Sequence, residues 1–338
     1  MYTKESFCNS VWENSYSKVL KSVAKEDYKE FKIPKKGGFR TINFLEKDSA
    51  LWDLQRKLLS NFLETQALPI CVKGFRKGES YKTFLYEHIG ATYFLRIDIA
   101  SFFPSININW IKTELSNLLV CNSDDEKSAL LDLICDIVTL DNTLPQGAST
   151  SPAISNIVMA RIDQRITKYC QVFNVRYTRY ADDLLFSSFS FNFSEKKWFI
   201  KKIKYILATQ NLKLNYSKMK YGENELVLNG YVISKQGIRL SRNRLSDVRR
   251  VVTFSRDNYK VLKQDGPEVF LKKANAMPLK HRDLKTYPFN SLFQFTQYLC
   301  GYRAFLISMV DVNDTTSSFQ KELQRLIRRT ETQILRLS

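Results

Sequence analysis

The chain has 338 residues, 44% hydrophobic and 13% aromatic, with 52 Lys or Arg against 34 Asp or Glu and a formal net charge of +18. That size supports a large core in one large or two to three coupled domains, and the excess positive charge points to a polyanionic partner, nucleic acid first among them. No apolar run approaches the ~20 residues of a bilayer span, and residues 1–14 do not have the shape of a signal peptide.

Six scattered cysteines without a CxxC pair, and only two histidines, give neither a zinc site nor a disulfide framework. Reduced thiols in a cytoplasmic protein with no membrane partner are the expectation.

Leu51, Leu54, Leu58, Leu59 and Phe62 recur at helical spacing and predict an amphipathic helix over 48–65. Residues 93–99, Tyr-Phe-Leu-Arg-Ile-Asp-Ile, read as a strand leading into Ser101-Phe102-Phe103-Pro104. Helices are expected over 110–120, over 126–138 and, after the Pro145-Gln146-Gly147 loop, over 151–170. Two strand-like segments, 175–179 and 184–187, then flank Tyr180-Ala181-Asp182-Asp183. A basic helix around 195–210 follows, and then a hairpin over 226–240 that turns near Lys235-Gln236-Gly237. This alternation predicts an α+β layer.

Beyond about residue 240 the pattern becomes helical. Leu245, Val248 and Val252 form one stripe, Phe295, Leu299, Tyr302 and Phe305 a second, and Phe319, Leu323, Leu326 and Ile327 a third. From Arg239 to Ser338 there are 19 Lys or Arg against 9 Asp or Glu, so this tail holds more than half of the excess charge. One basic helical face is ordinarily just solvated. A whole basic helical module reads instead as an element that grips a phosphate backbone. Arg249, Arg250, Arg325, Arg328 and Arg329 are its candidate nucleic-acid contacts by charge clustering alone.

Asp182 and Asp183 are adjacent carboxylates at the tip of a strand–turn–strand. Asp is a common turn residue, so the tetrapeptide alone is compatible with an ordinary hairpin. Like charges so placed are otherwise held by a hard divalent cation, which takes carboxylate oxygens together with substrate phosphates. Asp98 supplies a third carboxylate, at the end of an apolar strand where an unpaired charge is expensive. Beside the hairpin it would complete a cage for two Mg²⁺ ions suited to nucleotidyl transfer; alone it could equally be a strand-end cap.

These segments resemble, in order and spacing, the motifs of a reverse transcriptase. Residues 33–40 look like its first fingers motif and Gly74-Phe75-Arg76-Lys77-Gly78 like its second. Asp98–Pro104 looks like palm motif A, Leu144–Pro152 like motif B and Tyr180–Asp183 like motif C. Asn215-Tyr216-Ser217-Lys218 resembles motif D, and Leu228-Asn229-Gly230-Tyr231 the strand before the thumb. The resemblance covers roughly residues 30–240; the remainder fits a thumb only by character.

The resemblance implies a right-hand polymerase fold. Fingers would lie at 1–92 and 112–146, an RRM/ferredoxin-like palm at 93–111 and 147–238, and a basic helical thumb at 239–338. Asp98, Asp182 and Asp183 would be catalytic and hold the metals, with Ile99 beside them among the metal ligands. Phe103 would be the steric gate against a 2′-hydroxyl, although it could also be a plain core residue. Gln146 would touch the incoming dNTP from a loop that Gly147 lets approach closely. Arg40, helped by Lys35 or Lys36, would hold the triphosphate, and Lys218 would protonate pyrophosphate.

Among such enzymes the chain looks most like the compact bacterial retron enzymes. It departs from them at two points: Phe84-Leu85-Tyr86-Glu87-His88 keeps only the His of Asn-Ala-x-x-His, and Leu228-Asn229-Gly230 keeps only the Gly of Val-Thr-Gly. His88 is thus either an RNA contact or a packing histidine. The retron resemblance implies a structured noncoding RNA primed from an internal 2′-hydroxyl, a branched RNA–DNA product, and an effector protein in antiphage defence. A non-retron defence enzyme with protein-primed or untemplated synthesis is the alternative. An RNA-binding scaffold with a dead site is a third reading, and the intact acidic residues argue against it.

Overall fold

The structure, a computed structural model, describes residues 1–35, 38–310 and 317–337. Lys36, one of the expected triphosphate contacts, lies outside the described residues. The chain divides into two compact units, Met1–Leu226 with Ser234–Gly237, and Val227–Ile233 with Ile238–Ser338.

In the first unit α1 (Lys4–Trp12) and α2 (Tyr16–Lys21) precede an antiparallel hairpin of β1 (Tyr28–Lys35) and β2 (Gly38–Leu45). Next come α3 (Ala50–Asn61), α4 (Tyr81–Tyr86), β3 (Tyr93–Ala100), α5 (Ile108–Ser116), α6 (Asp124–Val138) and α7 (Ser151–Val172). The hairpin of β4 (Arg176–Tyr180) and β5 (Asp183–Ser188) follows, then α8 (Lys197–Ala208), β6 (Lys213–Leu214) and β7 (Lys220–Glu223). The order of the main sheet is β4-β5-β3-β6, with β7 also paired to β3.

Several helices begin where a side chain satisfies a free backbone N–H group. Ser49 Oγ accepts from Trp52 N at the start of α3, and Ser123 Oγ from Glu126 N at the start of α6. Three acidic residues in the first turn of α6 also favour the positive end of its dipole. The central strand β3 is covered on both faces, so Phe94, Leu95, Ile97, Asp98 and Ile99 are all buried. A strand in that position reads as an almost continuous apolar run, and a carboxylate within it stands out.

Strands β8 (Glu225–Leu228), β9 (Tyr231–Ser234) and β10 (Gly237–Leu240) form a three-stranded sheet in the order β10-β9-β8. The single hairpin expected over 226–240 therefore has an additional turn. Asn229 (φ +46°) and Gly230 (φ +88°) reverse the chain ahead of the turn at Gly237.

The second unit is helical: α9 (Arg242–Asp257), α10 (Tyr259–Asn275), α11 (Leu292–Ile307) and α12 (Ser318–Leu337). Helix α10 breaks at Gly266 (φ +84°), immediately before Pro267. Val248, Phe270, Phe295, Leu299, Leu306 and Leu323 form its core, as the sequence stripes anticipate for α9, α11 and α12. Buried Asp247 ties the α10–α11 connection to α9 by accepting from Lys280 N at 3.0 Å and His281 N at 2.8 Å. Among the described residues no helix is long and apolar enough to cross a membrane.

Candidate active site

The β3–β5 pairing places Asp98 and Asp183 opposite one another as Cα partners. Asp182 joins them through the backbone, its carbonyl accepting from Ile99 N at 3.0 Å. Asp183 belongs to β5 itself, so the turn is only Ala181-Asp182. Ala181 adopts a left-handed φ of +56°, a strained value for an alanine.

The hairpin is held from two sides. Arg179, fully buried, forks onto Asp163 of α7 through Nε at 2.9 Å and Nη2 at 2.8 Å, and its Nη1 donates to Ala181 O at 3.2 Å. Tyr177 Oη donates to the same Asp163 carboxylate at 2.8 Å. A buried ion pair whose remaining hydrogen bonds are satisfied keeps its desolvation cost tolerable. On the other side Gly74 backs onto the tip, where a Cβ would come within 2.6 Å of Ala181 N. Asn156 Nδ2 fixes that approach by donating to Gly74 O at 2.9 Å.

Two cations face the carboxylates. Arg96 lies two residues before Asp98 and so on the same face of β3; its Nε donates to Asp183 Oδ1 at 2.9 Å, and its Nη2 lies 3.6 Å from Asp98 Oδ2. Lys218 Nζ donates to Asp98 Oδ2 at 3.1 Å. Burial pushes the Asp183 carboxyl up to about 6 despite the attraction of Arg96, and it raises Asp182 as well, with Asp98 adding repulsion.

Asp98 Oδ1 is buried and has no hydrogen-bond partner among the described residues. An orphaned carboxylate oxygen, hard and anionic, beside two destabilised carboxylates is a donor set that fits a divalent cation. Among the described residues no three His, Cys, Asp or Glu side chains are gathered closely enough to hold a metal as they stand. Asp98 and Asp183 are turned instead toward Lys218 and Arg96.

Phe103 is half-buried against Phe102, with ring centroids 5.4 Å apart, and tilted toward Phe75 at 6.3 Å. Phe75 in turn meets Tyr180 at 6.2 Å, so the expected gate reaches the hairpin through one intervening ring. Gln146 is held by its backbone, its carbonyl accepting from Asn43 N of β2 at 2.7 Å. Gly147 (φ +125°) makes this docking possible, since a Cβ would lie 2.5 Å from Asn43 O. Arg40 is exposed on β2, opposite Ile33.

His88 requires a correction: it is fully buried rather than presented to RNA. Its ring nitrogens lie 2.7 Å from Ser187 Oγ and 2.7 Å from Thr178 Oγ1. Thr178 gives its only hydroxyl proton to Phe84 O, so Nε2–H donates to Thr178 and Nδ1 accepts from Ser187. Burial holds the imidazole down to about 3, with nearby Arg176 contributing, and the ring is neutral. Of the basic-tail candidates, Arg325, Arg328 and Arg329 are exposed, whereas Arg249 pairs with Glu322 and Arg250 donates to Pro278 O.

Sequence reasoning missed Arg96, Asp163 and Arg179, and it named Gly74 only within a fingers motif, not as the residue that backs the hairpin. Arg96 could have been found from its two-residue spacing to Asp98 within a buried strand.

A family model described as reverse transcriptase (RNA-dependent DNA polymerase) matches residues 33–240. The chain belongs to the reverse transcriptase family. Enzymes of this family are RNA-directed DNA polymerases and depend on a divalent metal, in agreement with the acidic site. This reverse transcriptase is 28% identical over 228 residues to the Retron Ec86 reverse transcriptase of Escherichia coli, covering 66% of this chain and 68% of that protein. It is 32% identical over 183 residues to the Retron Ec73 reverse transcriptase of Escherichia coli, covering 51% of this chain and 56% of the relative. With the Retron Mx65 reverse transcriptase of Myxococcus xanthus it shares 31% over 173 residues, 47% of this chain and 40% of the relative. The resemblance to retron enzymes thus holds at the level of its relatives. Among solved structures, a Candida albicans telomerase superposes with a TM-score of 0.48 at 13% identity, over 91% of this chain and 63% of that one.

Proposed function

We propose that this reverse transcriptase serves a retron, copying part of a structured noncoding RNA from an internal 2′-hydroxyl to give a branched RNA–DNA molecule. The observation that carries this reading is the match to a retron enzyme across two-thirds of both chains. The same reading includes an antiphage role, an effector protein partner and a cytoplasmic location.

In this reading Asp98, Asp182 and Asp183 would hold two Mg²⁺ ions, whose charge would favour ionisation of the attacking hydroxyl and neutralise the leaving pyrophosphate. The protein's own groups do the rest. Arg96 and Lys218 balance the carboxylates in the free enzyme. In the same reading Gln146 and Phe103 shape the nucleotide pocket, Arg40 reaches the triphosphate, and Lys218 gives a proton to pyrophosphate. The first unit supplies fingers and palm, the second a thumb whose exposed arginines hold RNA through phosphates and shape.

Sequencing of the nucleic acid that co-purifies with the protein tests the proposal. A discrete DNA that loses its RNA branch on treatment with debranching enzyme is expected. Homopolymeric or protein-linked DNA would replace the retron reading with another defence polymerase.

A further inference from the structure

A second basic surface lies in the first unit, on a segment of the sequence other than the tail that the charge count singles out. Lys197, Lys201 and Lys204 follow one another at i, i+4 and i+7 down one face of α8, while Phe199, Ile203, Ile206 and Leu207 bury the other. With Tyr216 and Tyr221 these lysines line an open groove of about 320 Å³. Ile200 and Met219 complete its apolar floor.

Three features decide what the groove fits. Like charges at i, i+4 on a helix repel by a few tenths of a kcal/mol, and among the described residues none of these three lysines has a carboxylate partner. The site therefore favours an anion. Tyr216 and Tyr221 are 58% and 46% exposed, too open for core residues, and Lys204 Nζ rests 5.9 Å from the Tyr216 ring centroid. Exposed rings interleaved with lysines form the platform on which single-stranded bases stack while ammonium groups take the phosphates. A duplex offers no free base faces to such rings, and a protein partner would need an apolar area larger than this floor.

We propose that the groove between α8 and the β6–β7 segment binds a single-stranded polynucleotide. The three lysines span about 10 Å of helix, enough for about three stacked nucleotides at 3.4 Å each. A base takes the face of Tyr216, and the Lys204 ammonium moves from the ring to a phosphate. The groove adjoins the carboxylates along the chain: Tyr216 and Lys218 share one helical turn, at most about 7 Å apart, and Lys218 donates to Asp98. A strand held there stays beside the polymerising site. The inference rests on the polymerase chemistry and is independent of the retron reading, so a missing branched product leaves it intact.

Fluorescence anisotropy with oligouridylate and oligothymidylate of about twelve nucleotides tests it on the full chain. Lys201→Gln combined with Lys204→Gln should weaken binding about tenfold and reduce the salt slope by about 1.4, two phosphate contacts at ~0.7 each. Lys18→Gln with Lys21→Gln, the same charge change on α2, should bind as the wild type does. Stronger loss for oligouridylate identifies RNA as the ligand; stronger loss for oligothymidylate identifies the DNA product. Unchanged affinity in the α8 variant, as expected if the groove docks a protein, overturns the proposal, as does an equal loss in the α2 variant. Photocrosslinking of the wild-type protein with a 5-bromouridine oligonucleotide should label Tyr216 or Tyr221, and labelling confined to other sites would contradict the assignment.

Discussion

Arg96 and Asp183 form an ion pair across neighbouring strands, placed so that the guanidinium also faces Asp98, the register partner of Asp183. The carboxylates are therefore balanced from within the protein. Arg96→Met should expose that balance. In EDTA it leaves buried Asp183 without its cation and Asp98 with Lys218 alone, at a cost of ~3–5 kcal/mol. Added divalent cation should restore more stability to the variant than to the wild type. Equal losses with and without metal in denaturation curves would show that Arg96 does not compensate the carboxylates.

The buried His88 sets an acid limit on stability. Its folded-state pKa of about 3 lies below the ordinary value of 6.5, so the unfolded chain takes up the proton first. The resulting stability is fully present above about pH 6.5 and falls as the pH drops toward 3. In His88→Gln, urea midpoints should decline less steeply over that window. Parallel wild-type and variant profiles would remove His88 as the cause.

Gly147→Ala should disturb the loop that carries Gln146, because the added Cβ meets the Asn43 carbonyl at 2.5 Å and the residue has φ +125°. Nucleotide kcat/KM should fall by at least about tenfold, as displacement of a positioning loop by an ångström commonly costs that or more. An unchanged kcat/KM would show that the loop does not position the nucleotide.

Phe103→Ala should relax discrimination against ribonucleotides by about tenfold or more, the scale of a hydrophobic pocket contact. The ratio of dNTP to rNTP kcat/KM reads this directly. A constant ratio would return Phe103 to a purely structural role beside Phe102 and Phe75.

The legible parts of the chain are those where function and local pattern coincide. A carboxylate in an apolar strand stands out in the sequence, and the β3–β5 register sets Asp98 opposite Asp183 of the hairpin that the sequence also outlines. The helices expected over 126–138 and 151–170 appear as Asp124–Val138 and Ser151–Val172, since their apolar stripes are long, Ser123 caps the first and Pro152 stands in the opening turn of the second. What escaped depends on distance in space. Asp163 lies 16 residues from Arg179, and nothing local says that the two meet under the hairpin. His88 could have faced RNA or the core; only the positions of Ser187 and Thr178, about 100 and 90 residues away, decide it. The Asn229-Gly230 turn was present in the sequence but was absorbed into a longer hairpin.

The most direct test is single-nucleotide incorporation on an RNA template, with Asp182 and Asp183 both changed to Asn. Incorporation should fall at least about a thousandfold, the scale of losing charge stabilisation at a reacting phosphate, while RNA affinity stays within about twofold. Wild-type incorporation by that variant would contradict the assignment of the Tyr180–Asp183 hairpin as the catalytic centre.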